Sequence, residues 1–199
     1  MDVTPLPTTR PTRADARRNY DLLVAAARDA FAEHGTATSL EEIARRAGVG
    51  IGTLYRRFPS RCALLEAVYV DEIQSVCDRA YGFAEELEPF DALAAWLRSF
   101  VGYGVSKKTL AGELTEALGK DSEFFQVCKL NVRGAGDLLL EKAKQAGAVR
   151  PELDLMDILR LVGGITMGRD IEPEQADRLL DIVLAGLKPV PAETSVPGH

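Results

Sequence analysis

The sequence has few cysteines and no long apolar run, and these absences exclude several classes of protein. Its three cysteines, Cys62, Cys77 and Cys128, are widely spaced, odd in number and without a CxxC pair. They fit reduced thiols better than a disulfide framework, and the sequence assigns them no role. No apolar run approaches the roughly 18 residues that a bilayer span requires, and the start, MDVTPLPTTRPTR, has no apolar signal-peptide segment. We therefore expect a cytoplasmic protein with no membrane partner.

Groups that serve catalysis or metal binding are also scarce. The chain has two histidines, His34 and His199, and neither stands in a cluster with metal-ligand spacing. Neither the phosphate-binding pattern GxxxxGKS/T nor the nucleophile pattern GxSxG occurs. Acidic pairs such as Glu85 and Glu86 are most simply solvated helix faces. We expect no catalytic residues, no metal and no cofactor, and hence a protein that is not an enzyme.

The net charge of −6 is unevenly distributed along the chain. Residues 1–61 contain ten Lys/Arg and seven Asp/Glu, whereas residues 62–199 contain fourteen and twenty-three. The first third is therefore basic, with a net charge of +3, and the remainder is acidic, with −9. Such a protein can bind phosphates with its basic end while its acidic part stays away from the polyanion. The pattern favours nucleic acid as a partner of the N-terminal third.

Apolar residues recur with the helical period along almost the whole chain, and no run alternates as a half-buried strand does. The sequence therefore predicts an all-α protein of about nine helices. The predicted helices cover residues 13–33, a short stretch from 39, 51–58, a long stretch from 60, 89–104, 109–118, 122–146, 154–168 and 173–188. Residues 1–12 and 189–199, rich in proline, are expected to be flexible tails.

Two short predicted helices lie side by side in the chain between residues 39 and 58. Ser39, followed three residues later by Glu42, forms a capping box that begins the second helix. The third helix buries Leu54 and Phe58, and Pro59 prevents its continuation. Joined by AGVGI, the two helices have the length and turn chemistry of a helix-turn-helix, whose second helix lies in the DNA major groove.

The third helix carries the groups that this interpretation requires. Gly52 and Thr53 lie at its positive N-terminal end, where the backbone of a glycine can approach a phosphate closely. Tyr55, Arg56 and Arg57 occupy positions that the buried pair leaves exposed. A hydroxyl and two guanidiniums there can bind phosphate oxygens or base edges.

Within residues 18–66, the stretch AARDAFAEHGTATSLEEIARRAGVGIGTLYRRFPSRCALL resembles the DNA-binding domain of the TetR family of transcriptional repressors. The resemblance covers the Ala/Phe-rich first helix, the Thr-Ser cap, I-A-x-x-A-G-V and G-T-L-Y-x-x-F. It implies that Thr38 and Ser39 lie near phosphate. The family's usual Lys at the start of the fourth helix is Arg61 here, which keeps the charge as a planar fork. Gly50 stands where the family often has a capping Ser.

The candidate DNA-binding residues are Arg17, Arg18, Thr38, Ser39, Arg46, Gly50, Gly52, Thr53, Tyr55, Arg56, Arg57 and Arg61. For the arginines of the third helix the alternative is ordinary solvated charge. Arg46 ends the second helix, where a cation already favours the helix dipole, so both interpretations stay open. Arg17 and Arg18 either contact the DNA backbone or minor groove or belong to a merely soluble segment.

Residues 13–60 are predicted to form the DNA-binding domain and residues 61–188 a larger ligand-binding and dimerisation domain. The candidate ligand-binding residues are Trp96, Phe100, Tyr103, Phe124, Phe125 and Met167. Aromatic residues at this spacing also occur as a plain core stripe, which is the alternative. The resemblance implies a cavity among the middle helices, and we expect a hydrophobic or aromatic small-molecule effector.

The last two predicted helices carry more apolar surface than a chain end needs. Similar helices in the family pair across a two-fold axis, which implies a homodimer; the alternative is packing within one subunit. The resulting hypothesis is a homodimeric repressor of double-stranded operator DNA, released by its effector. Two alternatives remain: a regulator of the same fold without a small-molecule effector, and a helical enzyme that merely contains a helix-turn-helix.

Overall fold

The computed structural model describes residues 5–7, 10–167 and 171–189, without the side chains of residues 102–109, 166 and 167. Within these ranges the chain forms eight helices and no strand, which confirms the predicted all-α class. The helices are α1 (Ala14–His34), α2 (Leu40–Arg46), α3 (Ile51–Arg57), α4 (Arg61–Glu86), α5 (Pro89–Leu118), α6 (Glu123–Gln145), α7 (Leu155–Met167) and α8 (Pro173–Leu187). Most of the two predicted flexible tails lies outside the described residues.

The segments predicted as separate helices at 89–104 and 109–118 lie within one helix, α5. Gly102 and Gly104 lower the helix propensity of the intervening stretch by about 1 kcal/mol each relative to alanine. They nevertheless keep their backbone N–H groups, and no proline interrupts the segment. The helix therefore continues through them.

Helix α1 buries the predicted apolar stripe and ends where the sequence indicates. Its buried residues are Tyr20, Leu23, Val24, Ala27, Ala30 and Phe31. Gly35 follows with φ of +72°, a left-handed conformation that side chains other than glycine rarely adopt. Its amide donates to the carbonyl of Phe31 at 3.0 Å, so the last turn of α1 is closed.

The connection between α2 and α3 is a Schellman motif centred on Gly48. The Val49 amide donates to the Ala44 carbonyl at 3.0 Å, and the Gly48 amide donates to the Arg45 carbonyl at 3.2 Å. Gly48 has φ of +67°, which the motif requires at this position. The glycine therefore reverses the chain within two residues and sets the direction in which α3 begins.

The chain divides into two compact units that differ from the predicted domains. The first contains residues 1–79 and 102–134, and the second contains residues 80–101 and 135–199. Helices α4, α5 and α6 each pass from one unit to the other. The domain limits 13–60 and 61–188 describe functional segments of the sequence and stay predictions.

The second unit is built around Trp96, which is completely buried. Gly136 on α6 lies so close to it that a Cβ atom there would come within 2.6 Å of the indole ring. The same atom would lie 2.7 Å from the side chain of Leu155 on α7. Glycine is thus required sterically, because the indole ring occupies the space of a side chain. None of the described helices combines the length and apolarity needed to cross a bilayer.

Candidate nucleic-acid interface

Helix α3 presents one polar face to solvent and buries the opposite one. Leu54 is fully buried, whereas Tyr55 is 47% exposed and Arg56 is also exposed. The Arg56 guanidinium donates to the hydroxyl of half-buried Thr53 at 3.0 Å, so the two polar groups lie on the same side of the helix. Gly50 and Gly52 are exposed at its start. The face offers a phenol, a hydroxyl and a cation to a partner.

Arg57, predicted to be exposed, is half-buried instead. Its guanidinium carbon lies 4.8 Å from the ring centre of Tyr20 and 5.9 Å from that of Phe58. The two rings are themselves 5.5 Å apart. A cation above aromatic rings stabilises the contact between the helices that carry them. Arg57 therefore fastens the end of α3 to α1, and its proposed DNA contact stays a prediction.

Arg61, the first residue of α4, points toward the α1–α2 corner, defined here as residues 35–39. Its Nη1 donates to the Thr38 carbonyl at 2.7 Å, and its guanidinium carbon lies 5.7 Å from the ring centre of Phe31. Its Nη2 is buried and has no hydrogen-bond partner among the described residues. The phosphate contact of Arg61 stays a prediction, and its guanidinium has an intramolecular role.

The α1–α2 corner is also held from α5. Thr36 is buried with 5% exposure, and its hydroxyl donates to the carboxylate of Glu113. Thr38 is half-buried and donates to the Gly35 carbonyl at 3.0 Å. This pair is not among the contacts predicted from the sequence. No sequence signal indicates it, because the two residues are 77 positions apart.

The N-cap of α2 forms as predicted only in part. The exposed Ser39 accepts the amide of Glu42 at 3.2 Å, which satisfies one of the free N–H groups of the helix. The return bond expected from the Glu42 side chain is replaced, because its carboxylate accepts from Arg45 and Arg46 at 2.8 Å. The hydrogen bond from Arg45, followed by that from Arg46, lowers the pKa of Glu42 to about 2.

Arg46 is therefore bound within the molecule by two carboxylates. Besides Glu42 it reaches Glu33 at the end of α1, with Nη1 2.7 Å from the carboxylate oxygen. Its side chain is 24% exposed, whereas that of Arg45 is 74% exposed. A phosphate would have to compete with both carboxylates for Arg46. Its assignment as a DNA-binding residue stays a prediction, and the neighbouring Arg45 is the more accessible cation.

The start of the first helix keeps its cations at the surface. Arg17 and Arg18 lie in the first turns of α1 and are exposed. Upstream of them, Arg10 forms an ion pair with Asp21 on α1 at 2.6 Å. The segment before α1 thus lies back against the helix at this point. Arg17 and Arg18 remain accessible to a DNA backbone.

The candidate ligand-binding residues are divided between the two units. In the second unit, the rings of Trp96 and Phe100 are 5.9 Å apart. In the first unit, the ring centres of Phe124 and Phe125 are 5.3 Å apart, and Tyr69 lies 5.6 Å and 5.5 Å from them. The side chains of two further candidates, Tyr103 and Met167, lie outside the described residues.

Two grooves of the second unit are lined by other residues. One, of about 500 Å³, lies between α5 and α8 and includes Phe90, Arg98, Asp181 and Lys188. The other, of about 390 Å³, is lined by Leu139 and Lys142 on α6 and, on its other side, by residues that include Ala84, Leu87 and Pro89. Among the described residues no group of three or more His, Cys, Asp or Glu side chains is placed to hold a metal ion.

Two family patterns match the chain. Residues 23–68 match the pattern described as bacterial regulatory proteins, tetR family, and residues 88–189 match that of the SbtR-like transcriptional regulator C-terminal domain. Among curated proteins, none matches the chain significantly.

Solved structures resemble the chain over most of its length. The TetR transcriptional regulator SCO0520 from Streptomyces coelicolor is 39% identical over 86% of this chain and 99% of its own, with a TM-score of 0.75. A TetR transcription regulatory protein from Mycobacterium vanbaalenii is 32% identical over 89% and 99%, with a TM-score of 0.68. SmeT, the repressor of the Stenotrophomonas maltophilia multidrug efflux pump SmeDEF, is 23% identical over 90% and 94%, with a TM-score of 0.57, and shares the fold. Given these matches and its exposed helix-turn-helix, this chain belongs to the TetR family of DNA-binding transcriptional regulators.

Proposed function

We propose that this protein is a homodimeric repressor that binds double-stranded operator DNA in the cytoplasm and is released by a hydrophobic or aromatic small molecule. The observation that carries the proposal is the exposed polar face of α3, with Thr53, Tyr55 and Arg56 beside the buried Leu54. A short helix held by its neighbours and presenting such groups suits insertion into a major groove.

The support around α3 is consistent with this use. A seven-residue helix is marginal in water and depends on tertiary contacts. The turn at Gly48 sets its entry, and the stack of Arg57 on Tyr20 holds its end. The side chains that face solvent therefore sit on a rigid base, which reduces the ordering entropy lost on binding DNA.

An exposed apolar surface on the last two helices supports the homodimer. Leu161 on α7 is 60% exposed, and Leu179 and Ile182 on α8 are 36% and 68% exposed. The opposite side of α8 is occupied within the subunit, since Leu180 and Leu184 are buried. A second copy covering this surface by two-fold symmetry would remove the apolar groups from water. The two α3 helices would then read half-sites about 34–36 Å apart.

The effector part of the proposal has a different support. A second structure of SmeT, which aligns with this chain at 20% identity and has a similar fold, is its complex with triclosan. By analogy of fold, we propose that an apolar ligand binds this chain as well. Such a ligand releases DNA only if it prefers a dimer with wrongly spaced α3 helices, because equal affinity for both forms shifts no equilibrium.

The test begins by selecting bound duplexes from random DNA and measuring the affinity of the best one against salt. Each neutralised phosphate is expected to contribute about −0.9 to the slope of log K against log salt. A flat response, or no selected sequence, would contradict the repressor. Screening apolar compounds for release then separates an effector-controlled regulator from one of the same fold without a small-molecule effector. The remaining alternative, a helical enzyme that merely contains a helix-turn-helix, predicts an activity or assembly that Tyr55→Phe does not affect. The repressor predicts weaker operator binding by this variant with the fold intact.

A further inference from the structure

We propose that Arg61 is a positioning residue for DNA binding: its guanidinium holds the α1–α2 corner in place and does not itself bind a phosphate. The inference rests on the proposed DNA-binding function and concerns which arginine does what within it. It begins from the 2.7 Å hydrogen bond between Arg61 Nη1 and the Thr38 carbonyl.

The orientation of the Thr38 carbonyl also determines the orientation of the N–H group that follows it. A peptide unit is planar and trans, so fixing the Thr38 C=O direction also fixes the plane that contains the Ser39 N–H. In that plane the N–H points away from the carbonyl, and thus away from Arg61. Ser39 is exposed and caps α2 through its hydroxyl. Arg61 therefore sets the orientation of the backbone at the residue that begins the helix-turn-helix.

The guanidinium is also partly covered by other groups. It lies over the ring of Phe31, with its carbon 5.7 Å from the ring centre, and its Nη2 is buried without a hydrogen-bond partner among the described residues. Turning it outward to a phosphate would break the stack and leave the Thr38 carbonyl without its donor. Arg56, in contrast, lies on the exposed side of α3 with only a hydroxyl as its described partner. The two arginines carry the same charge in opposite surroundings.

This contrast allows a direct test with a matched control. Arg61→Ala and Arg56→Ala each remove one arginine from the DNA-binding part of the chain, and both are titrated with the selected duplex over a range of salt. A lost phosphate contact reduces the steepness of the log–log slope by about 0.9. For Arg61→Ala we expect binding weaker on the order of tenfold with the wild-type slope, since a charge-assisted hydrogen bond is lost. For Arg56→Ala we expect the shallower slope.

A slope for Arg61→Ala that is shallower by about 0.9 would identify Arg61 as a phosphate ligand and overturn the inference. Unchanged affinity would overturn it as well, because the corner would then need no support from Arg61. If the wild-type protein binds no duplex, the proposed function fails instead, and the two failures are distinguishable.

Arg61→Lys keeps the inference testable if the alanine variant does not fold. A lysine can approach a phosphate as well as an arginine can, so a phosphate ligand would retain its affinity. If Arg61 is a positioning residue, Arg61→Lys should bind DNA more weakly. A lysine ammonium is not planar, so it cannot donate to the Thr38 carbonyl and lie over the Phe31 ring at the same time. We also expect faster hydrogen exchange of the amides at residues 39–43 in Arg61→Lys with an unchanged melting temperature. Wild-type affinity and exchange in that variant would contradict the positioning role.

Discussion

Arg56 and Arg57 are neighbours in the chain but have different surroundings. The first reaches the hydroxyl of Thr53 on the exposed side of α3, and the second lies over the ring of Tyr20. Helical geometry separates adjacent residues by about 100°, so one of the pair faces solvent and the other faces α1. At this point of the surface, Arg57 therefore contributes to the contact with α1, whereas Arg56 faces solvent.

Arg57→Ala is expected to lower the free energy of unfolding by about 1 kcal/mol, the size of a partly desolvated cation–π contact. Arg56→Ala, which removes an exposed side chain, should leave it within about 0.5 kcal/mol of wild type. Urea denaturation followed by circular dichroism measures both. Equal destabilisation by the two variants would show that the stack on Tyr20 contributes nothing.

The cysteines should react slowly in the folded protein. Burial raises the pKa of Cys77 to about 11 and, with Cys77 nearby, that of Cys128 to about 12. At pH 8 the thiolate fraction of each is on the order of one part in a thousand or less. Cys62 is half-buried, and we expect an aromatic disulfide reagent to label it before the other two. In 8 M urea, all three cysteines should react at roughly the rate of a free thiol in an unfolded peptide. Fast labelling of Cys128 in the native protein would contradict its burial.

At the scale of helices, the ends of α1, α2 and α3 were predictable from local chemistry, whereas their mutual contacts were not. Gly35, Ser39 and Gly48 act on the backbone within one or two turns, so a single sequence contains the signal. The pairs Thr36 with Glu113 and Trp96 with Gly136 join positions far apart in the chain. A periodic pattern does not distinguish a half-buried carboxylate that accepts a hydrogen bond, such as that of Glu113, from a carboxylate at the surface. The exposed face of α3 was predictable except for Arg57, because its aromatic partner Tyr20 belongs to another helix.

The carboxylate of Glu42, which binds Arg45 and Arg46 within α2, should give a pH-dependent contribution to stability. The pKa of Glu42 is lowered from 4.5 to about 2 by its arginines, so the contribution is fully present above about pH 4.5 and is lost as the pH falls toward 2. Glu42→Gln should therefore be less stable than wild type at pH 7, and the difference should vanish near pH 2. Thermal melts across this range measure it. A difference that persists unchanged at pH 2 would rule out ionisation as its cause.

Two glycines of α6 provide a matched pair for the packing of the second unit. Gly136→Ala should destabilise by about 1–3 kcal/mol, because its Cβ would lie 2.6 Å from the Trp96 ring. At Gly134, two residues earlier, a Cβ meets nothing within 4 Å, and alanine should stabilise by about 0.5–1 kcal/mol through helix propensity. Denaturant unfolding of both variants checks the opposite signs. Stabilisation by Gly136→Ala would mean that the indole ring moves aside easily.

At the scale of the whole molecule, the proposed repressor needs two copies, since one seven-residue helix contacts a single major-groove segment. The exposed apolar residues of α7 and α8 are the surface to which we assign the pairing. Sequence periodicity indicated that these helices are apolar. It could not distinguish the side that packs within the subunit from the side that stays exposed to solvent. That distinction appears only in the structure, where Leu161 and Ile182 are exposed and Leu180 is buried.

Ile182→Asp, at a position that is 68% exposed on α8, is expected to convert the proposed dimer to monomer, because a charge on both copies would lie in the apolar interface. Leu130→Asp on α6, where the side chain is 57% exposed, is the control and should leave the dimer intact. Sedimentation velocity measures the mass of each variant, and operator binding should fall only in the first. A dimer that survives Ile182→Asp would move the interface elsewhere.

Among the described residues of the range 1–61, at least four of its ten arginines bind carboxylates of the protein itself: Arg10, Arg28, Arg45 and Arg46. Their charge is partly neutralised before any duplex arrives. Weak attraction to arbitrary sequence shortens the time that a regulator spends at each wrong site on the chromosome. Discrimination between the operator and other DNA sequences then depends more on the contacts of a few exposed side chains than on the total charge of the protein. A small number of such molecules can search a genome quickly.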